Sequence, residues 1–281
     1  MKVVLIILGV VAGLIAMITG AGSIGYLQFR ARVKREAADL FKNKKEASAG
    51  IVTEEDLVGL PEPVQRYLRH TQIIGKERIH SVRLKMKGQF RLKPEQRWFS
   101  LKAEEYYTTD PPALVWFGKI SPLPLFPVTA RDKYFSGKGN MRVKLLSLFP
   151  VADESGEEID KAAIVRYLNE IFWFPTAYLG KNIKWTPVDE NSARVSISDA
   201  GTAVSALCFF NENGELINFV ADRAYVIGET KEWHTPIHEY KEFNGIRVPF
   251  RGEALYKLSS GDFSYIKAEI TNIEYNVSSP Y

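Results

Sequence analysis

Apolar and polar residues alternate with a period of two over most of this chain. Residues 82–92 show it most clearly: Val82, Leu84, Met86, Phe90 and Leu92 fall on one face, and Arg83, Lys85, Lys87, Gln89 and Arg91 on the other, with Gly88 interrupting the apolar row. Such alternation predicts a strand with one buried and one wet face, which belongs to antiparallel sheets. The pattern returns at 97–107, 113–120, 126–135 and 140–149. Beyond position 180 it recurs at 183–188, 193–198, 203–210, 216–226, 237–243, 247–258 and 263–275. The joints are built of turn residues: Ser136-Gly137-Lys138-Gly139, Asp189-Glu190-Asn191, Asn211-Glu212-Asn213-Gly214, Asn244-Gly245 and Ser260-Gly261-Asp262. These are the types that tight hairpin connections demand. About a dozen strands in one sheet must curl or close, because a flat sheet of that width leaves its twist and edges unmanaged.

One segment breaks the grammar. Residues 160–174 (DKAAIVRYLNEIFWF) follow a helical period, with Tyr167, Phe174, Ile171, Ile164, Leu168, Phe172 and Val165 on one arc and Asn169, Trp173, Arg166 and Glu170 on the other. Asp160, or Ser155 with Glu158, has capping-box spacing, and Pro175 ends the helix. A curved sheet needs something in its hollow, and this helix carries enough apolar surface to lie across it. The predicted fold is therefore mainly β (α+β): a large curved antiparallel sheet or half-barrel with one central helix. A two-sheet sandwich with the helix outside is the alternative.

The N-terminus differs from everything after it. Residues 3–29 hold no charge, a run of 27, longer than the roughly 20 residues needed to cross a bilayer. This predicts a single-pass transmembrane helix over 1–30, with a cleaved signal peptide as the alternative because Thr19-Gly20-Ala21-Gly22-Ser23 is a run of small residues. Arg30, Arg32, Lys34 and Arg35 follow the span and only Lys2 precedes it, a flank that favours a cytoplasmic domain. Residues 31–59 read as a basic flank and linker, with 42–50 polar, and 60–281 as the half-barrel domain. Thr53 with Glu54, Glu55 and Asp56 predicts one short helix at the end of this linker, and residues 60–68 a second at the start of the domain, docking by Val64, Tyr67 and Leu68.

Charge then narrows the function classes. The formal net charge is +4, but residues 1–46 carry 8 Lys+Arg against 3 Asp+Glu, leaving 29 against 30 in the rest. A nearly neutral folded part lacks the clustered cations that nucleic acid requires. The single cysteine, Cys208, lies in an apolar strand and reads as a small buried hydrophobe. His234 and His238 are four apart, but Pro236 forbids a helix there. On an extended segment they stand roughly 13 Å apart, too far to share a metal ion, so no metal and no cofactor is expected. Gly137-Lys138-Gly139 lacks the context of a phosphate loop, and no Gly-x-Ser-x-Gly elbow is present. Arg131-Asp132 and Asp222-Arg223 set opposite charges side by side, so on a strand they face opposite ways and each needs another partner.

Five stretches resemble an uncharacterised bacterial family of membrane-anchored β-rich proteins, a domain of unknown function: LPEPVQRYL at 60–68, PPALVW at 111–116, RYLNEIFWFPTAYL at 166–179, GIRVP at 245–249 and GDFSY at 261–265. The family brings no activity, so the resemblance assigns no catalytic residue. Long strands with one inserted helix are also similar to the lipoprotein-carrier half-barrel, which holds acyl chains; that similarity implies an extracytoplasmic domain, against the flanking charges. The leading expectation is a membrane-anchored protein binding a membrane lipid or other hydrophobic small molecule between sheet and helix. Met86, Phe90, Trp116, Phe172 and Phe174 would supply apolar contact, and Arg166 with Glu170 would meet a headgroup. A structural module with a filled interior is the first alternative. A hydrolase using Glu170, Asp132 or His234 is the second, and no complete catalytic constellation is visible in sequence. A protein partner is not readable.

Overall fold

The computed structural model describes residues 1–44, 50–122 and 127–281. The middle of the polar 42–50 stretch and the tip of the proline-rich corner at 121–127, including the predicted start of the 126–135 strand, lie outside the described residues.

The strands form one antiparallel sheet. In chain order they are β1 (Ser81–Phe90), β2 (Phe99–Thr109), β3 (Pro112–Ser121), β4 (Val128–Phe135), β5 (Lys138–Leu145), β6 (Phe149–Ser155), β7 (Ile183–Asp189), β8 (Ser192–Asp199), β9 (Thr202–Phe210), β10 (Leu216–Val226), β11 (Glu229–His234), β12 (Ile237–Phe243), β13 (Ile246–Leu258) and β14 (Gly261–Tyr275). Nearly every neighbour in the sheet is also a neighbour in sequence, the order being β6-β5-β4-β3-β2-β1-β14-β13-β11-β10-β9-β8-β7. The long strand β13 serves two partners, β11 beside Tyr256 and Leu255 and β12 beside residues 246–252. One non-sequential pairing, β1 with β14, welds the two halves together.

The sheet curls into a trough. Tyr134 on β4 donates a 2.6 Å hydrogen bond to Asp199 on β8, although eight strands separate the two along the sheet order. Ser136-Gly137 and Asn244-Gly245 take positive φ at both positions, 51° and 77°, then 52° and 74°, the backbone that suits two-residue hairpins. At Gly88 the pleat leaves no space, since a Cβ there would overlap the carbonyl of Lys267 on β14.

Helix α3 (Glu157–Glu170) lies in the hollow, as the predicted half-barrel requires, and touches β4, β5 and β6 on one wall and β9 and β10 on the other. It begins three residues before position 160. Its N-cap is Gly156, so Ser155 does not cap; Asp160 instead accepts from the Gly139 N–H and pairs with Lys138, and Glu158 accepts from the Gly228 N–H. After Glu170 the chain tightens into 3-10 turns at Ile171–Trp173 and Pro175–Leu179. Helix α2 (Glu62–His70), whose Val64, Tyr67 and Leu68 are wholly buried, closes one end of the trough, and a 3-10 turn at Glu54–Leu57 precedes it with a Thr53–Asp56 capping box.

The convex face is covered too. Helix α1 (Lys2–Asn43) runs on unbroken past the apolar segment. Its Phe29, Val33, Ala37, Leu40 and Phe41 pack against Tyr106, Ala113, Val115 and Phe117, the outward residues of β2 and β3. This explains why β3 is a continuous apolar run: Leu114 and Trp116 face the hollow while Val115 and Phe117 face α1. Glu36 of α1 pairs at 3.1 Å with the buried Arg131, and Arg30 pairs with Glu104.

Candidate functional site

Tyrosines and apolar side chains fill the hollow where α2, α3 and the second half of the sheet meet. On the other side of α3 it is open. A cavity of about 750 Å³ lies between the helix and strands β1–β6 and β10–β14. The inward positions of β1 and β3 form one wall with Met86, Phe90, Trp116 and Ile120, and the 3-10 turn after α3 adds Phe172 and Trp173. Trp116 stands on its strand beside Gly118, where a Cβ would strike the indole, so the glycine makes room for the ring to lie flat along the wall.

Of the seven residues expected to contact a ligand, Met86, Phe90, Trp116, Arg166, Glu170 and Phe172 line this cavity. Phe174 does not. It is fully buried between the rings of Tyr107, at 4.9 Å, and Tyr167, at 6.1 Å, in the filled part of the core. Two positions along a helix turn a side chain by about 200°, so Phe172 and Phe174 stand at opposite edges of the expected arc, and after the 3-10 turn the non-helical backbone at Phe174 (φ −140°, ψ 68°) leaves them on different sides. The polar arc of α3 is as buried as the apolar one. Asn169 accepts from Thr235, and the indole of Trp173 donates to the Pro249 carbonyl.

At the floor, Arg166 is surrounded. Its guanidinium reaches Asp132 at 2.6 Å, Glu170 at 2.7 Å and Glu105 at 2.8 Å, and lies over the Trp116 ring. Tyr107 donates to the second oxygen of Glu170. Three carboxyls share this one cation. Burial, and next the charge of Glu170, pushes the Glu105 carboxyl well above the usual carboxylate range, against the pull of Arg166. Arg166 itself is lowered by burial but raised further by Glu170, Glu105 and Asp132. The cluster therefore carries no spare positive charge, and Arg166 is held as a structural cation.

Arg223 on β10 is the opposite case. Its guanidinium donates to the Tyr256 hydroxyl at 2.7 Å and to the Ala162 carbonyl at 3.2 Å and lies over Trp233, and it has no carboxylate at ion-pair distance among the described residues. The Tyr256 hydroxyl donates its own hydrogen bond to the Ala224 carbonyl, which leaves the oxygen free to accept from Arg223. Arg223 lines the same cavity, as does Trp116, whose indole N–H is buried without an acceptor among the described residues. Both donors are available to an anion. The sequence signal was present but unread: Phe219, Ala221 and Arg223 alternate inward on β10, while Asp222 points out.

Other reactive groups sit elsewhere. His234 bonds to Glu232 at 2.7 Å and Asn218 at 3.0 Å, and His238 approaches Glu253 on the surface. Cys208 is fully buried, and burial pushes its thiol up, away from thiolate character. Among the described residues no three His, Cys, Asp or Glu side chains are placed to hold a metal ion.

Two solved structures are similar in outline. One is a domain described as an outer membrane lipoprotein-sorting protein from Vibrio parahaemolyticus, with TM-score 0.41 and 8% identity over 76% of this chain and 92% of that one. The other is a LolA-superfamily protein from Nitrosomonas europaea, with TM-score 0.40 and 10% identity over 76% of this chain and 94% of that one. No curated protein matches the chain. Residues 50–268 match one family model across nearly all of the curled sheet, and the chain belongs to that family, the family of unknown function DUF6544.

Proposed function

We propose that this protein is a membrane-anchored binding protein for an amphiphile whose apolar part lies against Met86, Phe90, Trp116 and Phe172 and whose acidic headgroup meets Arg223. The observation that carries the reading is a cavity of about 750 Å³, within the range of small-molecule sites, that is mostly apolar yet contains an arginine lacking a carboxylate partner among the described residues. A purely structural interior would gain by closing this volume, since voids cost stability. The anchor is supported by α1, which beyond Lys2 is uncharged as far as Phe29, exposed over its first turns and long enough to span a bilayer. Arg166, first in line from sequence, is reassigned to holding Asp132, Glu105 and Glu170 in place.

The test uses the full-length protein in nanodiscs, washed and assayed with fluorescent fatty-acid and phosphatidic-acid analogues. The expected result is saturable, roughly stoichiometric binding that weakens about tenfold in R223Q, the loss of one charge-assisted contact. Binding that R223Q and the cavity-filling variant A254F both leave unchanged would overturn the assignment.

A further inference from the structure

Among the described residues, ten large apolar side chains outside α1 are strongly exposed, and six of them, Leu92, Leu145, Phe149, Val151, Val226 and Ile227, lie at or near strand connections on one edge of the sheet. Antiparallel pairing puts the β1–β2, β3–β4, β5–β6, β10–β11 and β13–β14 connections along one edge of the curled sheet. Leu92, Val151 and Val226 also line the cavity, so this edge is its mouth. Singly exposed apolar residues need no explanation, but a ring of them around an opening marks a surface that something covers.

The path of α1 says what covers it. The helix descends the convex face with Phe41 near Tyr106 and Lys44 near Ser81, the far end of β1, and with Phe29 and Tyr26 against Phe117 toward the mouth. It leaves the domain at the β5–β6 turn. A Cβ on Gly25 would lie 2.9 Å from the Ser147 carbonyl, and one on Gly22 would lie 3.3 Å from that of Leu146, so the two glycines let the helix pass in contact with this turn. The same turn runs directly into Phe149 and Val151 of the rim. Beyond Gly22 the helix continues with about 20 uncharged residues, roughly 30 Å of apolar rod. At the level of exit, Lys119 lies over the Tyr26 ring and Lys144 over Phe29, with Lys93 and Arg97 exposed on the neighbouring β1–β2 connection. Cations and a tyrosine at this height suit anionic headgroups.

We infer that the cavity mouth faces the bilayer in which α1 is embedded, with Leu92, Phe149, Val151, Val226 and Ile227 seated on the lipid surface, so that a ligand passes between membrane and cavity without crossing water. This rests on the anchored reading of α1. One unbroken helix sets the pose: its lower half is docked on β2 and β3 and its upper half is the span, so the domain cannot turn over without undocking it.

The experiment places an environment-sensitive fluorophore on single cysteines in the full-length protein, reconstituted in vesicles with and without acyl-chain nitroxide lipid; the native Cys208 is buried and serves as the unlabelled background. Mouth positions are L92C, F149C and I227C, far-end positions V188C and I217C, and the span position L14C, all exposed sites that tolerate a probe. Apolar residues seated at a membrane surface sink about 5–10 Å, so the mouth and span probes should lose about half their emission to the nitroxide and the far-end probes almost none. Quenching at Leu14 with none at the mouth would overturn the orientation while leaving the anchor intact. No quenching at Leu14 would remove the anchor and the orientation with it, and equal quenching at both ends would overturn the orientation alone.

Discussion

Glu105 lies on β2 with no solvent exposure, one oxygen 2.8 Å from Arg166 and the other buried without a hydrogen-bond partner. A carboxylate in that position would lack compensation on one side, and burial with Glu170 beside it drives the group toward its neutral form. Its folded pKa is raised above the unfolded value, so its contribution to stability is complete in acid and is lost as pH climbs toward the raised value. Glutamine keeps the acceptor for Arg166 and never ionises. Between the ordinary carboxyl range and the raised value, wild type should therefore lose about 1.4 kcal/mol per pH unit relative to E105Q. Urea unfolding of both proteins from pH 4 to pH 8 reads this directly. A constant difference across that range would show that Glu105 stays ionised in the fold. E105A, which removes the acceptor and leaves a void, should be destabilised at every pH by about 2–3 kcal/mol in the same titration.

Helix α1 has two halves that one spacing rule joins. Phe29, Val33, Ala37, Leu40 and Phe41 recur at helical intervals and are almost fully buried, though Arg30, Arg32, Lys34 and Arg35 run between them. A chain starting at Ile24 keeps this stripe, and it should remain monomeric and melt cooperatively. A chain starting at Gly50 uncovers Tyr106, Val115 and Phe117 and strips Glu36 from the buried Arg131, so it should aggregate or melt much lower, in size-exclusion and thermal scans. F29A within the longer chain should cost about 3 kcal/mol. The stripe was legible at i, i+4, i+8, i+11 and i+12, but the interleaved charges read as a solvated flank because nothing in sequence reveals that β2 and β3 present a second apolar face. Similar limits apply to the strands. Twelve followed from alternation; β6 and β11 did not, because a mostly exposed edge strand such as FPVADES and a polar one such as ETKEWH have no apolar row to count. In the site, alternation identified Met86 and Phe90 as inward; Trp116 lies in the continuous apolar run of β3, where alternation does not separate the two faces. Which arginine is already satisfied depends on partners 34 and 61 positions away, which leave no period in the sequence, whereas Phe174 lies two residues after Phe172 and that spacing on a helix already turns it to another side.

Across the whole molecule, α3 divides the trough into a packed half and an open half, and the two should respond differently to the same substitution. Phe174 is enclosed by Tyr107 and Tyr167, so F174A creates a cavity in close-packed surroundings and should cost about 3–5 kcal/mol. Phe90 is partly exposed on the cavity wall and touches Tyr265 edge-on, so removing its ring enlarges a space that already exists. F90A should cost about 1 kcal/mol or less in the ligand-free protein. A bound amphiphile reverses the ranking for one half only. A ligand at a hundred times its Kd stabilises the native state by about 2.7 kcal/mol, and a wall residue that contacts it controls that increment. Wild type and F174A should gain similar amounts from the ligand, whereas F90A should gain much less despite its near-normal stability without it. Thermal unfolding of the three proteins in nanodiscs, with and without the phosphatidic-acid analogue, separates these outcomes. An equal gain in all three would place the ligand outside the cavity, because a filled core and an empty one cannot otherwise give the same increment.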